Sequence, residues 1–120
     1  MKREIKFRAW DIPAKKYRGV DGLKDLFSIR SDGFFNEDYV LEQFTGLKDK
    51  NGVDIYEGDI LKTETEKNMV VGWSEKFASF ILNREGWLFS HWFGEACDPE
   101  KCEIIGSIHT TPELLNPSNK

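Results

Sequence analysis

The sequence predicts a mainly β protein: a small bent β-barrel or two small packed β-subdomains, with a short C-terminal helical turn. Three observations predict it. Apolar and polar residues alternate with period two in several short stretches, as on half-buried strands. Glycine, asparagine and aspartate recur at close intervals between those stretches. The span from Phe44 to Leu61 holds two turn signals between apolar positions. All 120 residues read as a single domain, with a subdivision near residues 40–45 as the one alternative.

The elements follow in order. Glu4 to Trp10 alternates, with Ile5, Phe7 and Ala9 on one side and Glu4, Lys6, Arg8 and Trp10 on the other. This predicts a half-buried strand with a basic outer face. Asp11 to Lys16 is a turn, because Pro13 lacks a donor and restricts Ile12. Tyr17 to Leu23 is extended but broken by Gly19 and Gly22; Leu26 to Ile29 is a short strand; Ser31-Asp32-Gly33 is a turn. Tyr39 to Phe44 reads as a strand leading into the central hairpin. Ile60 to Thr65, Met69 to Trp73 and Phe77 to Leu82 are further strands, the last with neither face plainly polar. Trp87 to Phe93 leaves helix and strand both open. Glu103 to Ile108 is the final strand, and Thr110-Thr111-Pro112-Glu113 fits a capping box that starts one helical turn.

The central hairpin can be argued to a register. A two-residue loop at Asn51-Gly52 would set Asp49 opposite Asp54, an unfavourable like-charge pair. A three-residue loop over Lys50-Asn51-Gly52 lets the Asp49 carboxylate accept a local backbone hydrogen bond. It places Gly52 in the left-handed region, Lys48 opposite Asp54, and Leu47 opposite Ile55. This second register is the one expected. Gly58-Asp59 repeats the turn chemistry and redirects the chain into Ile60-Leu61.

Composition bounds the function. With 32% charged and 39% hydrophobic residues, the chain suits a soluble globular domain. No apolar run approaches a membrane span, and Met1 to Lys6 lacks the apolar core of a signal peptide, so a cytoplasmic location and no membrane partner are expected. In that compartment Cys97 and Cys102 are expected as free thiols. Charge is split: residues 1–30 carry nine Lys/Arg against four Asp/Glu, whereas residues 31–120 carry eight against seventeen. The plain expectation is that the two ends neutralise each other within the fold or across an oligomer; a salt-sensitive homo-oligomer would follow from the latter.

Three segments carry a family resemblance. Arg3 to Asp11, then Phe44 to Gly52 with Ile55 to Ile60, then Glu103 to Ile108 with Pro112 to Leu115, stand in an order that resembles the YopX family of phage and prophage proteins. Ser107 and His109 stand where that pattern has Asn and Tyr. The resemblance implies a mostly β fold and a phage or prophage origin. It implies no reaction and carries over no catalytic residue.

Candidate chemistry is sparse. Asp49, Asn51, Asp54, Glu57 and Asp59 offer oxygen ligands, but their spacing departs from a calcium loop and turn formation explains Asp49 and Asn51. His91, Cys97, Cys102 and His109 are zinc-ligand types at separations that match no compact finger, and Cys–His nucleophilic catalysis would need a nearby base. No metal, cofactor or catalytic set is therefore assigned. Trp73, Phe77, Trp87, Phe89, Trp92 and Phe93 would stack bases only against the acidic character of this half, so core packing is expected, with an exposed subset at an interface. Trp10, Trp87 and Trp92 are the candidate aromatic interface. Lys6, Arg8, Lys15, Lys16 and Arg18 form the candidate basic binding surface. The expected function is a non-catalytic interaction module that binds a protein partner or itself. A nucleic-acid-associated barrel using the basic strip is the alternative, and a small enzyme using Asp49, Asp59 or the Cys/His group is the third reading.

Overall fold

The computed structural model describes residues 4–20, 38–63, 68–76, 78–83, 91–92 and 98–115. The strand expected at 26–29, the turn expected at Ser31-Asp32-Gly33, and the aromatic residues Phe77, Trp87, Phe89 and Phe93 lie outside them. The described chain is built of two antiparallel sheets and two short 3-10 turns. The first sheet holds β1 (Phe7–Asp11), β2 (Lys16–Val20), β3 (Tyr39–Lys48) and β4 (Asp54–Tyr56), in the order β2-β1-β3-β4. The second holds β5 (Asp59–Lys62), β6 (Asn68–Ser74), β7 (Ser79–Asn83), β8 (His91–Trp92) and β9 (Glu103–Ser107), in the order β8-β7-β6-β5-β9. Pro99–Lys101 and Pro112–Leu115 form the 3-10 turns, the second at the expected C-terminal helical position. No helix among the described residues is long and apolar enough to cross a membrane.

The central hairpin takes the expected three-residue loop with Lys48 opposite Asp54, whereas the expected Leu47–Ile55 pair falls within a register shift below it. Lys48 pairs with Asp54, and their side chains form an ion pair at 2.7 Å. The Gly52 amide donates to the Asp49 carbonyl, and Gly52 sits at φ +79°, where a side chain would be strained. Asp49 Oδ1 accepts from the amides of Asn51 and Val53 at 2.9 and 3.0 Å. Below the loop the register shifts between Phe44 and Lys48. Thr45 bridges that irregularity: its hydroxyl donates to the Ile55 carbonyl at 2.8 Å and accepts from the Leu47 amide at 3.1 Å.

The hairpin tip docks onto the second sheet. Asp49 Oδ2 accepts from the Ile104 amide, and the Lys50 amide donates to the Cys102 carbonyl. Ile55 thereby joins the buried cluster of Leu61, Met69, Val71, Leu82 and Cys102, with Leu47, Phe80 and Ile104 packed against it. Full burial of such side chains stabilises by roughly 1.5–3 kcal/mol each, so one core under the second sheet also holds the hairpin of the first.

Two expectations need correction. Cys102 is disulfide-bonded, not a free thiol; Cys97 lies outside the described residues. The turn at Pro99–Lys101 reverses the backbone just before Cys102, with Lys101 donating to the Asp98 carbonyl and Cys102 to that of Pro99. The outer face assigned to β1 is not solvated: both faces are covered at its centre, Ala9 being fully buried on the expected inner side. Arg8 and Trp10 turn toward the second sheet, whereas Ile5, on the apolar side, is exposed. The physical reason is the set of partners that Arg8 meets there.

Candidate functional site

The site is built where β1 crosses the junction of the two sheets. Arg8 and Trp10 alternate on one face of β1, with Glu42 of β3 opposite Arg8 and Tyr17 of β2 opposite Trp10. From the second sheet comes Asp59, at the start of β5. The turn before it places Gly58 at φ +84°, and Asp59 Oδ2 accepts from the Tyr56 amide at 2.8 Å. Gly58 is tied on both sides: its amide donates to the Val71 carbonyl, and its carbonyl accepts from the Ile108 amide.

Arg8 is the hub. Its Nε donates to Glu42 Oε1 at 2.9 Å, and its Nη2 to Asp59 Oδ1 at 2.8 Å, to the Glu57 carbonyl and to the Tyr17 hydroxyl. The guanidinium also lies over the rings of Tyr17 and Tyr56, 4.1 and 4.7 Å from their centroids. Burial pushes the Asp59 carboxyl above its ordinary value, against the opposing pull of Arg8 and the Tyr56 amide. Burial likewise pushes the Tyr17 phenol up to about 12.

Glu42 carries the network outward. Its Oε2 lies 3.1 Å from His109 Nε2, and the His109 ring stacks on Trp10 at 5.0 Å between centroids and 9° between planes. Tyr17 meets Trp10 edge-on at 4.8 Å. Above this stack opens a groove of about 530 Å³ lined by Trp10, Ile12, Lys15, His109 and Thr110. Trp10 is itself buried, whereas Ile12 and Lys15 are exposed at the rim of the groove.

The five basic residues do not form one strip. Lys6 and Arg8 share one face of the first sheet; Lys16 and Arg18 share the other, opposite Asp11 and Ala9. Lys6 pairs with Asp54 and Glu4, Arg8 with Glu42 and Asp59, and Arg18 with Asp11 at 2.6 Å. Lys15 and Lys16 remain exposed at the hairpin turn. Of the aromatic set, Trp10 stacks within the fold, Trp87 lies outside the described residues, and Trp92 is described only as backbone of β8. Trp73, expected in a core, is 45% exposed and meets Phe80 edge-on.

The acidic and Cys/His groups separate in the same way. Asp49 is held by three backbone amides, Asp54 by Lys6 and Lys48, and Asp59 by Arg8 and Tyr56, while Glu57 accepts from the Gln43 amide. Cys102 sits in the core and His109 beside Trp10. Among the described residues no three His, Cys, Asp or Glu converge as metal ligands. Glu42 and Tyr17 escaped sequence reasoning as site residues, whereas Gly58 was read there as a turn. The signal for Glu42 was a carboxylate between Leu41 and Phe44 in a strand that is otherwise largely apolar.

Comparison with known proteins agrees with this architecture. The family model described as YopX protein matches residues 25–116, so the opening motif at Arg3 to Asp11 lies outside the matched span. The crystal structure of protein EF1440 from Enterococcus faecalis is similar to this chain at 27% identity and a TM-score of 0.62, covering 96% of this chain and 100% of that one. No curated protein matches the chain.

Proposed function

The chain belongs to the YopX family, and from that premise we propose that it is a phage- or prophage-encoded interaction module that acts through protein–protein contacts rather than by catalysis or by holding nucleic acid. The observation that carries this reading is the internal neutralisation of the basic segment. Lys6, Arg8 and Arg18 each have a carboxylate partner within the chain. Nucleic-acid affinity depends on several cations free to replace counterions along the phosphates. Displacing Arg8 from Glu42 and Asp59 would leave two buried carboxylates without their cation, which is costly. The carboxylates that a small enzyme would use are instead committed to backbone amides and ion pairs. Contact area is supplied by exposed apolar side chains, among them Ile12, Leu41, Val53, Trp73 and Ile108.

Light scattering on a sizing column, at low and high salt and with short single- and double-stranded DNA, tests the reading. The expected result is one mass, unchanged by DNA and by salt. A salt-reversible increase on adding DNA would overturn it and return the basic residues to the foreground.

A further inference from the structure

We propose that the groove between Trp10, Ile12, Lys15 and His109 receives an acidic side chain, flanked by an apolar one, from an extended segment of a partner protein. This rests on the protein-contact reading and names the chemistry of the partner. Three observations support it.

The first is charge. Arg18, in the same hairpin, is neutralised by Asp11, whereas among the described residues Lys15 has no carboxylate partner. Lys15 therefore brings an uncompensated ammonium to the rim of the groove. One such cation suits a single carboxylate better than a run of phosphates.

The second is shape. Trp10 and His109 present a stacked aromatic wall, and Ile12 is a 45% exposed aliphatic beside it. That pairing of an apolar surface with one cation fits an acidic residue next to an apolar neighbour, and aromatic side chains are enriched at the centres of such contacts.

The third is preorganisation. The His109 ring is held by Glu42, which is held by Arg8. The Lys15 backbone is held by the bond from its amide to the Asp11 carbonyl, and the Ala14 amide donates to Asp11 Oδ1. Little ordering remains to be done on binding.

The test is two-dimensional NMR on the full chain, titrated with the blocked tetrapeptide Ac-Leu-Glu-Leu-Asp-NH2, with its Gln/Asn counterpart, and with a ten-nucleotide oligo-dT. The acidic peptide is expected to shift the Trp10 indole N–H and the amides of Ile12 and Lys15, and the neutral peptide to shift them far less. Lys15→Glu is expected to weaken the acidic peptide about five- to tenfold. Ile12→Ser is expected to weaken both peptides, and neither exposed substitution should disturb the rest of the spectrum. Equal shifts from both peptides, shifts confined to other surfaces, or undiminished binding by Lys15→Glu would overturn the assignment. Silence from both the peptides and the DNA would remove the groove site alone and leave the protein-contact reading standing. Stronger shifts from the oligonucleotide at the same resonances would remove both.

Discussion

Arg8 and Asp59 meet at 2.8 Å across the junction of the two sheets, 51 residues apart in the chain. Their side chains are 17% and 3% exposed. Removing the guanidinium strands Asp59 and Glu42 in a buried site, which typically costs about 3–5 kcal/mol. Arg8→Met is therefore expected to lower the urea midpoint severely. Arg8→Lys should fall between the two, since an ammonium keeps the charge but not the planar fork.

Gly58→Ala should destabilise for two reasons at once. The residue lies at φ +84°, and an added Cβ would clash with the Glu42 carboxylate. Glu42 has little freedom to yield, because Arg8 and His109 hold both of its oxygens. The left-handed conformation alone costs a side chain roughly 1–2 kcal/mol, so thermal melting should show a loss at least that large.

Acid sensitivity should centre on Asp49. Burial pushes its carboxyl up, but the amides of Ile104, Val53 and Asn51 together hold it below its ordinary value of 3.8. A carboxylate whose folded pKa is depressed adds stability above its unfolded pKa, and that stability is lost as pH falls through the folded value. Asp54, held down by Lys48 and Lys6, acts in the same direction. Asp49→Asn is expected to lose about 1.5–3 kcal/mol at neutral pH. It should also flatten the fall in urea midpoint as pH drops below the ordinary carboxylate range, relative to the unaltered chain.

Lys15 offers a stabilising change. Its φ of 56° lies in the left-handed region. A non-glycine residue there carries a cost of roughly 1–2 kcal/mol, of which the greater unfolded-state freedom of glycine offsets roughly 0.4–1 kcal/mol. Lys15→Gly should therefore raise stability by about 0.5 kcal/mol. A drop in melting temperature would show that the lysine side chain contributes packing the backbone argument omits.

Much of the local structure was legible because it is set by neighbours in sequence. Asp49, Asn51 and Gly52 specify their loop through contacts spanning at most four residues, so the charge pairing of Lys48 with Asp54 could be argued in advance. The C-terminal turn was legible at Pro112 for the same reason, although the Thr110 hydroxyl, expected to cap it, accepts from the Ser107 amide behind it. His109 was visible only as a stray zinc-ligand type, because its partners Glu42 and Trp10 lie in distant strands.

Sequence by itself determined the β class, the hairpin loop, the family resemblance and the two faces of β1. It could not determine that the basic face is covered as well as the apolar one, where Ala9 is fully buried. Period-two alternation separates the sides of a strand but does not show whether both are covered, and a row containing Lys6 and Arg8 looks like a solvated side. Tertiary structure decided otherwise. Glu42 arrives from β3 and Asp59 from the second sheet, and their carboxylates make burial of Arg8 favourable where apolar surroundings would not. Once Arg8 turns inward, Trp10 must follow it two residues later, and the groove beside His109 is the consequence.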